Sequence, residues 1–142
     1  MIVDANLLLF ASDETSRFHV AARRWLDEVI GGPTRVGLPW QTLAAFLRIG
    51  TNPRIYPRPL TPAAAWEQIE AWLSLEIVWL PRPGPSYAEI LGRLVLRHEV
   101  HGNLVPDAQL AALALEHGVP VASADTDFAR FTEVKWVNPV AV

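Results

Sequence analysis

The chain reads as an α/β protein: a doubly wound parallel sheet of about five strands with helices on both faces. Three observations predict it. Short apolar runs of strand length alternate with longer stretches whose apolar residues recur at helical spacing. Glycine and proline clusters punctuate the boundaries between them. The chain has 142 residues, 51% of them hydrophobic, enough for one domain with its own core and too few for two.

Each element follows from its local pattern. Residues 1–4 form a short buried strand. Residues 15–30 form a helix with Phe18, Ala22, Trp25, Leu26 and Val29 on one face, closed by Gly31, Gly32 and Pro33. A second strand covers 34–38, and a helix over 41–50 packs Leu43, Phe46 and Leu47. Residues 51–60 carry three prolines and are irregular. Thr61 and Pro62 mark the N-cap and first position of a helix reaching Leu73. A third strand covers 76–80, and Ser86 with Glu89 predicts a capping box for a helix ending near His98. Residues 106–117 form a strongly apolar helix closed by Gly118. The fourth strand is 119–123, a helical turn lies within 124–131, and a last strand covers 135–137.

Composition narrows the function. Without cysteine there is no disulfide framework, thiolate metal site or cysteine nucleophile. The net charge of −3 argues against holding nucleic acid by bulk electrostatics, although the cations are eleven arginines against the single Lys135. No apolar run approaches the ~20 residues of a membrane span, and no leader precedes Ile2, so a cytoplasmic protein without a membrane partner is expected. Glycine-rich phosphate loops are absent, and Ser123 has no evident histidine partner for nucleophilic catalysis.

The chemistry concentrates in the aspartates. Of six, Asp4 follows the first strand, Asp107 opens the apolar helix, and Asp125 and Asp127 follow the fourth strand. In an open α/β sheet, ligands bind beyond the carboxyl ends of the strands, at the switch point. If the first and fourth strands are neighbours, these four carboxylates converge there. Converging carboxylates repel one another unless a cation neutralises them. A hard divalent ion such as Mg²⁺ or Mn²⁺ is suited to that role and to phosphodiester hydrolysis. Each aspartate also has a plain structural use, as a turn or cap residue.

The segments Ile2-Val3-Asp4-Ala5-Asn6, Asn103-Leu104-Val105-Pro106-Asp107-Ala108 and Ser123-Ala124-Asp125-Thr126-Asp127-Phe128 resemble the acidic motifs of PIN domains. Leu38-Pro39-Trp40 through Phe46-Leu47-Arg48, then Thr51-Asn52-Pro53-Arg54, and the tail with Phe131, Trp136 and Asn138-Pro139, resemble one branch of the VapC toxins. The similarity spans essentially the whole chain and implies one PIN domain over 1–142. It further implies a Mg²⁺- or Mn²⁺-dependent endoribonuclease of a type II toxin–antitoxin pair, an RNA substrate, a VapB-type antitoxin partner and a homodimer. By that resemblance Asp4 and Asp107 are direct metal ligands, Asp125 is the next acid, and Asp127 supports them. Asn6 and Ser123 match polar positions beside the acids.

One position departs from the family pattern. Many PIN domains carry a glutamate three residues before an arginine in the helix after the second strand, and alignment on Pro39 and Arg48 puts Ala45 there. The metal cup then has one carboxylate fewer, which points to one firmly held ion. Gln41, one turn earlier on the same face, can offer a neutral oxygen. Arg48, Arg54 and Arg130 are candidate RNA or antitoxin contacts, and the simplest expectation for Arg48 and Arg130 is a buried ion pair beside the acids. Most of the six tryptophans fall on apolar faces and read as core, with Trp40 set apart at the mouth of its helix. His98 and His101 read as solvated or capping residues.

Two other readings stand beside this one. Asp4-Ala5-Asn6 is loosely similar to aspartyl-nucleophile phosphatases, but their general acid would be Asn6 here. A PIN fold weakened at Ala45 would bind RNA or protein without cutting.

Overall fold

The computed structural model describes residues 1–141; the expected domain ends at Val142, which lies outside them. Five strands appear, β1 (Ile2–Val3), β2 (Val36–Gly37), β3 (Val78–Trp79), β4 (Val121–Ala122) and β5 (Trp136–Val137). They form one parallel sheet in the order β3-β2-β1-β4-β5. Parallel hydrogen bonding continues past these short strands, for example from the Asp4 amide to the Ala122 carbonyl at 2.9 Å.

Side chains alternate across this sheet, as the strand pleat requires. Val3 and Ala122 face a core built from helices α1 (Ala5–Ser12), α2 (His19–Ile30), α3 (Trp40–Gly50) and α4 (Pro62–Leu73). Ile2 and Val121 face the other core, under α5 (Tyr87–His98) and α6 (Val105–His117). The doubly wound α/β architecture expected from the pattern is therefore observed. Gly37 lets β2 lie close to β1 and Trp79: a Cβ there would meet the Met1 carbonyl oxygen at 3.0 Å and the Trp79 indole nitrogen at 3.1 Å. Gly118, at φ +67°, ends α6 in the left-handed conformation the expected C-cap needs.

Three local expectations are corrected. Helix α1 had no counterpart in the sequence reading, because Leu7, Leu8, Leu9 and both alanines are buried and no polar face marks a helical period. Helix α2 starts at His19, not at residue 15. The Asp13 carboxylate accepts from the Thr15 amide and hydroxyl, and Ser16 accepts from the Phe18 amide, holding 13–18 in turns that compete with helix. The Ser86–Glu89 capping box does not form: Ser86 makes no side-chain cap, and Glu89 pairs with Arg93. The α6 residue Glu116 instead accepts from the amides of Gly84 (2.6 Å) and Ser86 (2.9 Å), so a distant carboxylate anchors the entry to α5.

Candidate metal centre and its cleft

Sheet order reverses between β1 and β4, and all four singled-out aspartates lie at that switch point. Asp4 leaves β1 as the N-cap of α1, and its Oδ1 accepts from the Ala5 amide at 2.8 Å. Its Oδ2 accepts from the Ser123 hydroxyl at 2.6 Å and from the Asn6 amide nitrogen at 3.3 Å. Asp125 leaves β4 as the N-cap of the 3-10 turn Thr126–Arg130, accepting from the Asp127 amide at 2.9 Å. Asp107 sits buried in the first turn of α6. The structural roles considered for these residues thus coexist with their convergence.

Ser123 ties the set together. It is fully buried, donates to Asp4, and accepts from the Asn6 side chain at 3.1 Å and the Asp125 amide at 3.0 Å. The Asn6 carbonyl oxygen accepts from the Ala124 amide at 3.2 Å, closing a brace between the ends of β1 and β4. Thr42, which the sequence reading missed, adds a third anchor: its buried hydroxyl donates to the Val3 carbonyl at 2.7 Å and fixes α3 against β1. The available signal was a lone hydroxyl beside Leu43 on the apolar side of that helix.

Carboxylate oxygens of Asp107, Asp125 and Asp127 lie within 4.8 Å of one another, with Asp4 beside them as a further source of negative charge. Burial, then the charges of Asp125, Asp4 and Asp127, push the Asp107 carboxyl up to about 7. Burial also raises the Asp4 carboxyl, and the Ser123 hydrogen bond opposes that rise. Among the described residues, no arginine, lysine or histidine forms an ion pair with any of the four. A crowded all-oxygen donor set without a protein counter-charge fits a hard divalent cation, and contains nothing soft enough to prefer zinc.

Asp4 and Asp107 open onto a cleft of about 500 Å³ between α3 and α6, lined also by Gln41, Ala45 and Arg48. Gln41 spans it, its amide nitrogen donating to the Pro106 carbonyl at 2.8 Å, one residue before Asp107. Ala45 lines the wall, so no acid from α3 reaches the centre. The ion pair expected for Arg48 and Arg130 is not observed: both are exposed, and neither pairs with an acid among the described residues. Arg48 lines the cleft; Arg54 and Arg130 do not. His98 is not solvated but bonds both Glu133 oxygens at 2.9 and 3.0 Å, whereas His101 caps the Glu99 carbonyl. Trp66 departs from its core reading and is exposed.

The fold and its acidic switch point define a class. The chain belongs to the PIN-domain family, whose model matches residues 1–134. Within that family it sits among the VapC-type ribonucleases: Ribonuclease VapC37 of Mycobacterium tuberculosis (strain ATCC 25618 / H37Rv) is 44% identical over 141 residues, covering 99% of this chain and 98% of that protein. Two solved structures share the fold. VapBC-1 from nontypeable Haemophilus influenzae superposes with a TM-score of 0.68 at 16% identity, covering 99% and 98% of the two chains. VapC20 of Mycobacterium tuberculosis, described as a toxin that cleaves the sarcin–ricin loop, gives 0.68 at 18% identity, covering 92% and 94%.

Proposed function

We propose that this chain, acting as one PIN domain over 1–142, is a Mg²⁺-dependent endoribonuclease, with Mn²⁺ as a substitute, and the toxic half of a type II toxin–antitoxin pair. The observation that carries the metal-dependent reading is the Asp107–Asp125–Asp127 cluster, with Asp4 beside it and no cationic partner among the described residues. The ribonuclease name of the 44%-identical relative supports RNA as the substrate.

Asp4, Asp107 and Asp125 would hold the ion, with the more exposed Asp127 supporting at the rim. When bound, such an ion polarises the scissile phosphate and makes a neighbouring water more acidic. The protein's own residues do the positioning. Ser123, Asn6 and the Ala5 amide hold Asp4 in one orientation, so its carboxylate needs little rearrangement to act. Gln41 ties α3 to the start of α6, and its side-chain oxygen would be the neutral donor on the wall where Ala45 leaves no acid. Asn6 is committed to this brace and has no proton to donate as an acid, which disfavours an aspartyl-phosphatase reading.

A VapB-type antitoxin would inhibit by placing a cationic side chain in the acidic cleft. Helix α5 leaves Leu96 82% exposed in a groove that combines Ile90, Leu94 and Leu115 with Arg93, Arg97 and Glu133, a mixed face suited to pairing two copies as a homodimer. A cytoplasmic site of action follows from the RNA substrate. The direct test is cleavage of cellular RNA by protein stripped of metal and resupplied with Mg²⁺ or Mn²⁺. Activity should require the metal and disappear in Asp4→Asn and Asp107→Asn. Cleavage that persists in both variants would overturn the mechanism. Ala45 favours one rival, a binding module without turnover, which RNA binding with no metal-dependent cleavage would reveal.

A further inference from the structure

The acidic centre explains how a phosphodiester is cut but leaves open what draws a polyanion into an anionic cleft. Helix α3 supplies the cleft's cation, Arg48, and carries an exposed aromatic, Trp40, at its first residue. Trp40, Ala44 and Arg48 follow one another at i, i+4 and i+8, a single row on a helix surface. All three are exposed, and Trp40, the first residue of the helix, is 47% accessible. Ala44 and Arg48 line the same cleft as Asp4 and Asp107, and Arg48 is the only cation among its lining residues. Among the described residues no acid claims Arg48. Ala44 keeps the row low between its two ends. Trp40 is not itself a lining residue, but it precedes Gln41, which lines the cleft and bonds to Pro106 at the head of α6, so the Trp40 backbone is anchored one residue from the cleft. On the α6 side of that bond Val105 is 38% exposed, giving the rim a second apolar member.

Trp40 belongs to neither hydrophobic core, and every nucleobase has a π-face that can stack on an exposed indole. A guanidinium without an acidic partner suits a phosphate. Eight residues of helix place these two groups about 12 Å apart along one wall. We infer that the Trp40–Ala44–Arg48 row is the substrate track: Trp40 stacks an unpaired base of single-stranded RNA and Arg48 holds a backbone phosphate beside the acidic centre. The inference rests on the ribonuclease reading for the identity of the strand. It identifies Trp40 as a specificity and positioning residue that requires an unstacked base, and so directs cutting to loops and single strands.

The test uses the full chain and a fluorescein-labelled, unstructured 12-nucleotide RNA. Binding is measured in EDTA by anisotropy, and cleavage in Mn²⁺ as KM and kcat. Trp40→Ala is expected to bind about ten-fold more weakly, within the range for loss of one stacked base. Trp40→Phe should restore most of the affinity, whereas Trp40→Leu, apolar without a π-face, should not. The same losses should appear mainly in KM. Arg48→Ala should flatten the salt dependence of binding by about 0.7 in the log–log slope, one phosphate on a single strand, while Trp40→Ala leaves that slope unchanged. Melting temperatures separate these effects from misfolding, and Trp40→Phe and Trp40→Leu remain informative if the alanine variant unfolds. Equal RNA affinity in wild type, Trp40→Ala and Trp40→Leu overturns the inference. So does loss of antitoxin affinity with RNA affinity intact, which would make the row a protein contact. A wild type that binds RNA in EDTA but cuts none with metal would sink the ribonuclease reading instead, and the binding series would still decide the track.

Discussion

Replacing Ser123 with alanine removes one fully buried oxygen that serves three partners. The bond to Asp4, at 2.6 Å, is charge-assisted, and losing such a bond costs about 1.5–3 kcal/mol. Asn6 already lies 3.3 Å from Asp4 and re-pairs in part, so its share is small. The Asp125 amide loses its acceptor and adds about 1 kcal/mol. The sum is about 3 kcal/mol. With about 2.1 cal/mol/K of unfolding entropy per residue over 142 residues, that is a fall in Tm of about 10 °C. The assay is calorimetry of metal-free protein in EDTA at pH 7.5, paired with RNA cleavage in Mn²⁺. Metal affinity should also fall, by about 10–100-fold, as is usual when a partner orienting a ligand is lost. A Tm shift below about 3 °C with undiminished cleavage would refute the brace as the element that organises the centre.

Three further outcomes follow. Asp107, pushed up to about 7 in the folded protein against an ordinary carboxyl near 3.9 in the unfolded chain, holds a proton longer when folded. Its contribution to metal-free stability is therefore full below about pH 4 and is lost as pH rises through about 7. Asp107→Asn should flatten that slope in thermal melts and raise Tm at pH 8 without metal, while abolishing stabilisation by Mg²⁺; an unchanged slope would contradict the assignment. Gln41→Ala breaks the bond to Pro106 and should weaken Mn²⁺ binding and cleavage while costing about 1 kcal/mol or less of stability, and calorimetric titration showing wild-type metal affinity would remove Gln41 from the centre. Glu99 ends α5 at φ +50° with an exposed side chain, so Glu99→Gly should stabilise by up to about 1 kcal/mol in chemical denaturation, and destabilisation would show that the strain is compensated elsewhere.

The sequence by itself determined the fold class and the four acids. Alternation of apolar runs and helical periods is a local signal, and it specified five parallel strands; an aspartate at the end of a strand is visible wherever the strand is visible. The resemblance to PIN domains also exposed the missing α3 carboxylate, since alignment on Pro39 and Arg48 puts Ala45 where many members carry a glutamate. Helix α1 escaped because a helix with five of its eight residues buried and apolar nearly all round loses the amphipathic contrast that periodicity detects. Only tertiary structure decided the rest, because those decisions join residues far apart in the chain. The Ser123–Asp4 bond spans 119 positions, Gln41 reaches Pro106 across 65, and Glu116 displaces a local capping box across 30. Whether Arg48 paired with an acid or faced the cleft was equally a question of what the fold brought beside it. The packing of α3 against β1 through Thr42 set that wall in place and left the guanidinium exposed along the cleft.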